Sequence, residues 1–433
     1  MSGQWQYWTG SWGHWIRIKE RRKNAMGLHR FKPVPSGRMG VLWTLATIRD
    51  AAVIEFGCMG HMLYAGTSLK RIGIQDACRL YSTHLNESDI SMGDTSRLEK
   101  VIETVIKEIN PRVIFLTPSA VPEVIGIDLH GFCRQVQARF PDNRLIVLGS
   151  GGFDKQLHDG VRETLTTLVK ELTGSAGLTP NRTYNLIGSC ADLFRFQEDK
   201  EELVRLLRET FQMEPLCILS SDTEIAGIEQ MGSAHINLVI RREGKEAARE
   251  LYKRFGTPYV CGRPYGVKGT TAWLEEIAEV IGYEGSREFI RKEEQFVWSR
   301  YRTVSPNFQR LLRSEPENLA LSLGGHIDVV KGILEFGCTE LSFPQARCWC
   351  DSPAMEEEGI PYLKEEEWIE IIEGHDKGLL MCSAEALEWG GKKTELQISN
   401  PDLKWRLYPF EPPFVGYRGA LNLINLWINS CEA

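Results

Sequence analysis

The chain has 433 residues, enough for roughly two to four domains and a large buried core. Hydrophobic residues make up 42% of it and charged residues 25%, a balance typical of soluble globular proteins. The formal net charge of -7 argues against a general nucleic-acid binder, which needs a basic surface. No run of about 18 apolar residues occurs, so we predict no membrane span.

Eleven cysteines are scattered along the chain, without the clustered spacing of a small disulfide framework. The amino terminus places its basic residues after its apolar ones, which is the reverse of a secretory signal peptide. Both observations predict a cytoplasmic protein with reduced thiols. Most of these thiols are expected to be small, buried apolar groups.

Residues 1–30 differ in composition from the rest, and we predict a poorly ordered extension. Four tryptophans recur here at helical spacing, namely Trp5, Trp8, Trp12 and Trp15. A basic run from Arg17 to Lys23 follows them. Translation from Met26 would explain this composition, and the alternative is a helix that binds a partner or a membrane surface.

Residues 31–180 form the first of three predicted α/β blocks, because short apolar runs alternate with segments of helical periodicity. The predicted strands are Ala52–Phe56, Val113–Leu116 and Arg144–Gly149. The predicted helices are Thr95–Asn110 and Val161–Thr173. A segment rich in Gly, Thr, Pro and Asn, residues 174–182, then indicates a domain boundary.

The second block, residues 181–315, repeats this alternation. Its predicted strands are Tyr184–Gly188, Pro215–Ser220, Ile236–Ile240 and Pro258–Val260. Its predicted helices are Glu201–Gln212, Lys245–Phe255, Thr270–Gly282 and Arg287–Arg313. The long final helix is expected to lead into the third block.

The third block, residues 316–404, has predicted strands at Leu319–Leu323, Gly378–Cys382 and Lys393–Ile398, and a helix over Ile327–Phe336 that stops at Gly337. Residues 405–433 are expected to return to the core as a helix, Tyr417–Ser430. The fold class is therefore predicted as α/β, with three doubly wound, Rossmann-like parallel sheets around a central cleft. Ligands of such sheets bind at the carboxyl ends of the strands, so we expect the functional surface there.

Two nucleotide-binding signatures are missing from the sequence. The segment Gly266-Val-Lys-Gly-Thr-Thr271 lacks the Gly-x4-Gly-Lys-Ser/Thr spacing of a phosphate-binding loop. No Gly-x-Gly-x-x-Gly fingerprint follows a strand. We therefore expect the chain itself neither to hydrolyse nucleotides nor to bind dinucleotides.

Two cysteine motifs have metal-like spacing. Cys348-Trp-Cys350 places both thiols on one side of an extended strand, which suits a buried structural pair, a zinc site or a redox pair. Cys58-Met-Gly-His61 follows an apolar strand, and Cys58 lies between two glycines. Small neighbours let the backbone approach a bulky cluster, and thiolate is the usual iron–sulfur ligand. The alternative for Cys58 is a buried turn cysteine.

A series of short motifs, in order over about 400 residues, resembles nitrogenase component 1 and its relatives. That family includes the cofactor-assembly scaffold, dark-operative protochlorophyllide reductase and the reductive cyclase of the nickel tetrapyrrole. The motifs include Ser36-Gly-Arg-Met-Gly40, Phe56-Gly-Cys58, Pro122-Glu-Val-Ile-Gly-Ile-Asp-Leu129, Asn185-Leu-Ile-Gly188, Phe255-Gly-Thr-Pro-Tyr259, Pro264-Tyr-Gly266 and Gly416-Tyr-Arg-Gly419.

The chain also departs from the family pattern. The resemblance implies three cluster cysteines, but Ser36 and Ala120 occupy the first and third positions and only Cys58 is a cysteine. In nitrogenase a cysteine holds the cofactor, and the resemblance places the corresponding position of this chain near Arg241. The region of the family's histidine ligand, residues 405–408, contains no histidine. We therefore expect no ligands of the iron–molybdenum cofactor type. Ser36 could ligate a cluster through oxygen.

The resemblance implies a reductase subunit that forms a homodimer, or a heterodimer with a paralogous component 1 subunit. A [4Fe–4S] cluster at the interface, bound by Cys58, would receive low-potential electrons from a separate ATP-hydrolysing iron protein. An anionic substrate, for example a carboxylated tetrapyrrole, would lie in the cleft. The candidate substrate-binding residues are His61, Arg241, Arg263, Tyr265 and Lys268.

Two alternatives remain open at this point. One is a scaffold or carrier that holds a metallocluster or tetrapyrrole without turnover. The other is a degenerate subunit that completes a heterodimer whose partner has the cysteines. The candidate cations also have a structural explanation, as a solvated face or as internal ion pairs.

Overall fold

A computed structural model of the chain describes residues 35–71, 79–149, 155–174, 177–390, 395–400 and 412–431. The predicted extension over residues 1–30 lies outside this part of the chain. The described residues form three four-stranded sheets, and every strand pair in them is parallel. The predicted α/β class with three doubly wound parallel sheets is thus confirmed. Every helix in the described part is too short or too polar to cross a bilayer.

The first sheet has the strand order β2-β1-β3-β4. Its strands are β1 (Ala51–Phe56), β2 (Arg79–Ser82), β3 (Val113–Pro118) and β4 (Arg144–Val147). The helices of this block are α1 (Gly37–Leu45), α2 (Met59–Arg71), α3 (Glu87–Met92), α4 (Ser96–Ile109), α5 (Ala120–Val124), α6 (Leu129–Gln137) and α7 (Leu157–Leu172). The two central strands, β1 and β3, are buried along their whole length, as expected of strands covered on both faces.

The second sheet repeats this order as β6-β5-β7-β8. Its strands are β5 (Thr183–Ser189), β6 (Glu214–Ser220), β7 (Ile236–Val239) and β8 (Tyr259–Cys261). The accompanying helices are α8 (Phe196–Phe211), α9 (Ile225–Glu229), α10 (Lys245–Phe255), α11 (Val267–Ile281) and α12 (Arg287–Ser314).

The third sheet has the order β10-β9-β11-β12. Its strands are β9 (Leu321–Gly325), β10 (Gln345–Cys350), β11 (Leu379–Ser383) and β12 (Glu395–Ser399). Its helices are α13 (Ile327–Glu335), α14 (Glu365–Glu373) and α15 (Ala384–Leu387), and the chain returns to the core as α16 (Gly416–Cys431). In α16, the fully buried Trp427 stacks on Phe336 at 5.5 Å between ring centroids.

The third block contains three elements that were not among those predicted, namely β10, α14 and α15, and two predicted boundaries lie elsewhere. The strand predicted at Leu319–Leu323 begins two residues later, because Pro316–Leu319 forms a 3-10 turn first. The helix predicted to stop at Gly337 continues as a π-helical turn over Phe336–Glu340. Glycine is needed at position 337 because a Cβ atom there would collide with the Leu321 side chain.

The shared strand order determines where ligands can bind. In each sheet the chain starts in an inner strand, adds one strand on one side, and then crosses to the other side. The crevice between the first and third strands, at their carboxyl ends, is the topological switch point at which doubly wound sheets bind ligands. The three crevices follow β1 and β3, β5 and β7, and β9 and β11.

Helices α1 and α7 cross at two glycines. A Cβ atom added to Gly160 would lie 1.7 Å from the backbone oxygen of Gly37, and one added to Gly40 would lie 2.1 Å from that of Leu157. The two backbones therefore touch directly. This packing explains Gly40 of the Ser36-Gly-Arg-Met-Gly40 motif without a ligand.

A buried ion pair attaches α1 to β1. Nη1 of Arg38 lies 3.2 Å from Oε1 of Glu55, whose side chain is fully buried. Burial raises the pKa of Glu55 to about 7, although the Arg38 charge opposes this shift. The pair therefore changes charge state near neutral pH.

We expect Gly160→Ala to destabilise the protein by about 2 kcal/mol or more, because α1 and α7 must separate to admit the methyl group. Thermal or urea unfolding measures this loss. Gly66→Ala is the matched control, since a Cβ at that helical glycine meets nothing within 4 Å. Its stability should be unchanged or higher. Equal effects of the two substitutions would contradict the helix crossing.

We expect Glu55 to make the folded state less stable as pH rises from about 4.5 to 7. In this window folded Glu55 retains a proton that the unfolded chain has released, so folding opposes ionisation. The free energy of unfolding should therefore fall by about 3 kcal/mol across this window. Unfolding at pH 5, 6, 7 and 8 should show Glu55→Gln gaining stability relative to wild type as pH rises. A constant difference would contradict this assignment.

Candidate functional site

Cys58 lies at the switch point of the first sheet. It follows β1 directly, and its exposed thiol lies 3.8 Å from the backbone oxygen of Leu85. Gly57 packs so tightly against Ser119, which follows β3, that a Cβ at Gly57 would lie 2.3 Å from that of Ser119. Cys58 also precedes α2, and the amino end of a helix stabilises anionic ligands such as thiolates. The predicted alternative, a buried turn cysteine, does not describe this exposed thiol.

Ala120 lies at the same edge of the first sheet as Cys58, whereas Ser36 pairs with Gln156 in an isolated β-bridge. Ser36 precedes α1, and its side chain makes no capping hydrogen bond. The Arg38–Glu55 ion pair attaches this end of α1 to β1. Ala120 begins α5 directly after β3. The fold thus brings the Ala120 segment beside Cys58, which supplies the thiol, and attaches the Ser36 segment to β1 through Arg38.

A cavity of about 140 Å³ separates the second and third sheets at their carboxyl ends. Asp192 and Arg241 follow strands β5 and β7 of the second sheet. His326 follows β9 and Asp351 follows β10 of the third sheet. The first block contributes Pro35, Trp43 and residues 156–158 to the wall. The predicted cleft between the three blocks therefore exists, and Arg241 is the predicted substrate residue that lines it.

The charges on the cavity wall form a buried network centred on Arg241. Its Nη1 atom donates to both carboxylate oxygens of Asp192, at 2.8 and 2.9 Å. Its Nε and Nη2 atoms donate to Glu243 at 3.0 and 2.9 Å. Nε2 of His326 lies 2.9 Å from Glu243 and so joins the third sheet to the second. All three guanidinium nitrogens of Arg241 thus donate hydrogen bonds to carboxylates of the protein.

Burial and these ion pairs shift the titrations in opposite directions. Burial opposes ionisation of Glu243, yet the charges of Arg241 and His326 hold its pKa well below the usual range. Burial likewise opposes protonation of His326, but Glu243 raises its pKa. Burial raises the pKa of Asp351 and lowers that of His158. The Glu243–His326 contact therefore favours the charged form of both groups, whereas burial favours the neutral form of His158.

The other predicted substrate residues do not line this cavity. Arg263 is buried and pairs with Asp199, which also accepts hydrogen bonds from the backbone that leads into α16. The buried ring of Tyr265 packs on Gly332 of α13. Lys268 is exposed at the start of α11, where its backbone nitrogen donates to Glu340. His61 lies in α2, and its side chain is outside the described part.

Cys348 and Cys350 are both buried on β10. They pack in one hydrophobic cluster while Trp349 packs in another, as expected of alternating sides of a strand. Burial raises the pKa of Cys348 to about 12 and that of Cys350 to about 11, which keeps both thiols protonated. This environment favours the structural interpretation over a zinc or redox pair.

Glu243, His326 and Asp328 place one potential ligand atom each within 4.8 Å of one another. The carboxylate of Glu243 is bonded to Arg241, and that of Asp328 lies 2.9 Å from Nε of Arg242. A divalent cation would have to displace two guanidinium groups. The site therefore does not fit a metal ion in this arrangement.

Sequence reasoning missed Asp192, Glu243, His326 and Asp351. Each follows the carboxyl end of a strand, which is the position that doubly wound sheets use for ligands. The predicted strand Leu319–Leu323 ends three residues before His326, and this position after a strand was the signal available in the sequence. Their mutual contacts depend on how two sheets face each other, which no local pattern records.

A family model described as nitrogenase component 1 type oxidoreductase matches residues 36–311. The nitrogenase iron-molybdenum cofactor biosynthesis protein NifE of Klebsiella pneumoniae is 28% identical over 286 residues, covering 59% of either chain. A light-independent protochlorophyllide reductase subunit of Jannaschia sp. is 30% identical over 209 residues, covering 48% of this chain and 39% of its own. The chain thus spans less than two thirds of these relatives.

A solved structure of nitrogenase Cp1 at pH 6.5 superposes with a TM-score of 0.74 over 96% of either chain, at 16% identity. This likeness supports the fold alone. The family model covers more than half of the chain and includes the Cys58 segment together with the second sheet. The resemblance inferred from the ordered motifs is therefore confirmed, and the chain belongs to the nitrogenase component 1 type oxidoreductase family.

Proposed function

We propose that this chain is a subunit of a nitrogenase-like reductase and that Cys58 ligates an iron–sulfur cluster shared with a partner subunit. The observation that carries this proposal is the exposed thiol at the switch point of the first sheet. A cubane cluster takes about four cysteine ligands. Because the motif segments at this edge supply one thiol, we assign the other ligands to a second copy or a paralogous subunit.

The surface around Cys58 supports assembly at this edge. Five large apolar side chains are exposed on elements that follow strands of the first sheet, namely Leu63, Met92, Val121, Val124 and Ile125. Large apolar side chains left exposed on elements that follow the strands of one sheet suit a protein–protein interface. Burying them against a partner would also enclose the cluster, and a dry, thiolate-rich shell favours a low reduction potential.

The bound cluster would relay electrons from a separate ATP-hydrolysing iron protein to the substrate. The chain's own residues perform the remaining tasks. Cys58 supplies a thiolate where a helix begins, and Gly57 lets the turn lie against Ser119. Arg38 and Glu55 fix α1 beside β1. The central cavity, lined by Arg241, would hold the substrate away from bulk water.

A scaffold or carrier is the second candidate function. Similarity to a cofactor biosynthesis protein favours it. The ion-pair network also favours it, because Arg241 stands near the position at which nitrogenase has its cofactor-binding cysteine. Both candidates require a metallocluster or another bound group. They differ in whether reduction of a substrate follows electron transfer.

Anaerobically purified wild-type protein, alone or with its paralogue, should contain iron and show the electron paramagnetic resonance signal of a reduced iron–sulfur cluster. Cys58→Ala should lose most of this iron, because the thiolate bond to the cluster is removed. Ser36→Ala tests oxygen ligation in the same way, and Cys431→Ala, which changes a thiol on α16, is the matched control. Iron-free wild-type protein, or full iron in Cys58→Ala, would contradict the proposal.

Val124→Glu should weaken subunit assembly by about tenfold or more, because it places a charge in the apolar surface around Cys58. Val124 is 69% exposed, so the isolated chain should remain folded. Analytical ultracentrifugation measures the change. Leu178→Glu, at a similarly exposed residue before β5, should leave assembly intact. Equal behaviour of the two variants would show that this surface is not the interface.

A further inference from the structure

Asp351 is a cavity carboxylate that lies outside the ion-pair network centred on Arg241. Within that network Arg241 is matched by Asp192, and His326 is matched by Glu243. Asp351 lines the same cavity and remains partly exposed. Its side chain forms no hydrogen bond or ion pair with another residue of the described part. His326 and His158 lie near enough to favour its charged form, while burial opposes it, and no ion pair in the described part neutralises it. A cation bound in the cavity would stabilise the charged carboxylate.

Aromatic side chains form much of the remaining wall, namely Trp43, Phe194, Trp349, Tyr362 and Trp368. The faces of aromatic rings attract ammonium and guanidinium groups, and indole does so most strongly. The wall also contains Arg241 and His326, but both already pair with carboxylates of the protein. Asp351 and the aromatic rings therefore favour an organic cation over an anion.

The volume of the cavity restricts the size of its ligand. At about 140 Å³ it is comparable to cavities of about 150 Å³ that admit benzene. Pockets for drug-sized ligands have volumes of about 300–1,000 Å³. A ligand with about six non-hydrogen atoms therefore fits this arrangement, whereas a carboxylated tetrapyrrole is too large.

We propose that the central cavity binds a small organic cation, such as a protonated amine, with Asp351 as its counter-ion. This replaces the anionic substrate expected from Arg241, whose guanidinium is already bonded to Asp192 and Glu243. Binding of the cation does not depend on the proposed function; only the role of the bound cation rests on it. In a reductase the cation is the substrate, and in a scaffold it is a bound ligand.

Three probes of similar size but different charge test the proposal: cyclopentylammonium, cyclopentanol and cyclopentanecarboxylate. Isothermal titration calorimetry on the full chain measures their dissociation constants at neutral pH. We expect the cation to bind about tenfold or more tightly than the alcohol, and the carboxylate to bind most weakly. Equal binding of cation and alcohol, preference for the anion, or no binding of the cation would overturn the proposal.

Asp351→Asn should abolish the preference for the cation over the alcohol while retaining binding of the alcohol. Asp376→Asn, at an exposed aspartate outside the cavity, is the matched control and should keep the preference. If Asp351→Asn does not fold, Trp368→Leu provides the second variant. It should weaken binding of the cation more than binding of the alcohol. An unchanged preference in a folded Asp351→Asn protein would overturn the assignment of Asp351.

A titration with zinc or manganese distinguishes a metal site from a site for an organic cation. Binding of either metal in competition with cyclopentylammonium would overturn the proposal in favour of the Glu243, His326 and Asp328 group. All these titrations use protein without an electron donor. A failure to find iron would therefore refute the reductase proposal and leave the cation preference measurable.

Discussion

Charges buried between the second and third sheets hold the carboxyl ends of those sheets face to face. Arg241, Asp192 and Glu243 are each almost completely buried, and His326 reaches Glu243 from the third sheet. Arg242 and Asp328 form a second pair across the same boundary, at 2.8 Å. Removing one partner from such a group costs about 3–5 kcal/mol, because the remaining charge stays in a poorly solvating interior. The cavity exists because these pairs fix the sheets at this separation.

The three sheets share one strand order, but their switch points lie in different environments. In the second and third sheets the switch points face each other and enclose polar groups. The switch point of the first sheet instead presents Cys58 to the outside. On the function proposed above, a cluster bound there would be completed by another subunit, whereas a ligand of the central cavity would be enclosed by one chain. Repetition of a single topology thus yields an exposed switch point and an internal cavity in the same molecule.

Local sequence patterns predicted the elements that depend on local energetics. The apolar run in Ala51–Phe56 and the 3.6-residue periodicity of Ser96–Ile109 have clear signatures, and both elements lie where they were expected. Helix Gly37–Leu45 was not predicted, because its residues are buried on every side and give no amphipathic pattern. The π-helical turn after Glu335 was missed because Gly337 indicates a helix end locally, whereas in the structure Gly337 lies against the Leu321 side chain, which leaves no room for a larger residue.

The sequence alone determined the α/β class, the family resemblance and the single cysteine at the three motif positions, because these properties depend on periodicity and on ordered short motifs. It also identified Arg241 as a residue of the cleft. Only the tertiary structure decided that this guanidinium is neutralised, that Arg263 and Tyr265 stabilise packing between elements, and that Asp351 lies outside the ion pairs of the cavity. The physical reason is that a side chain's charge is known from its identity, but its interaction energy depends on neighbours that are distant in the chain.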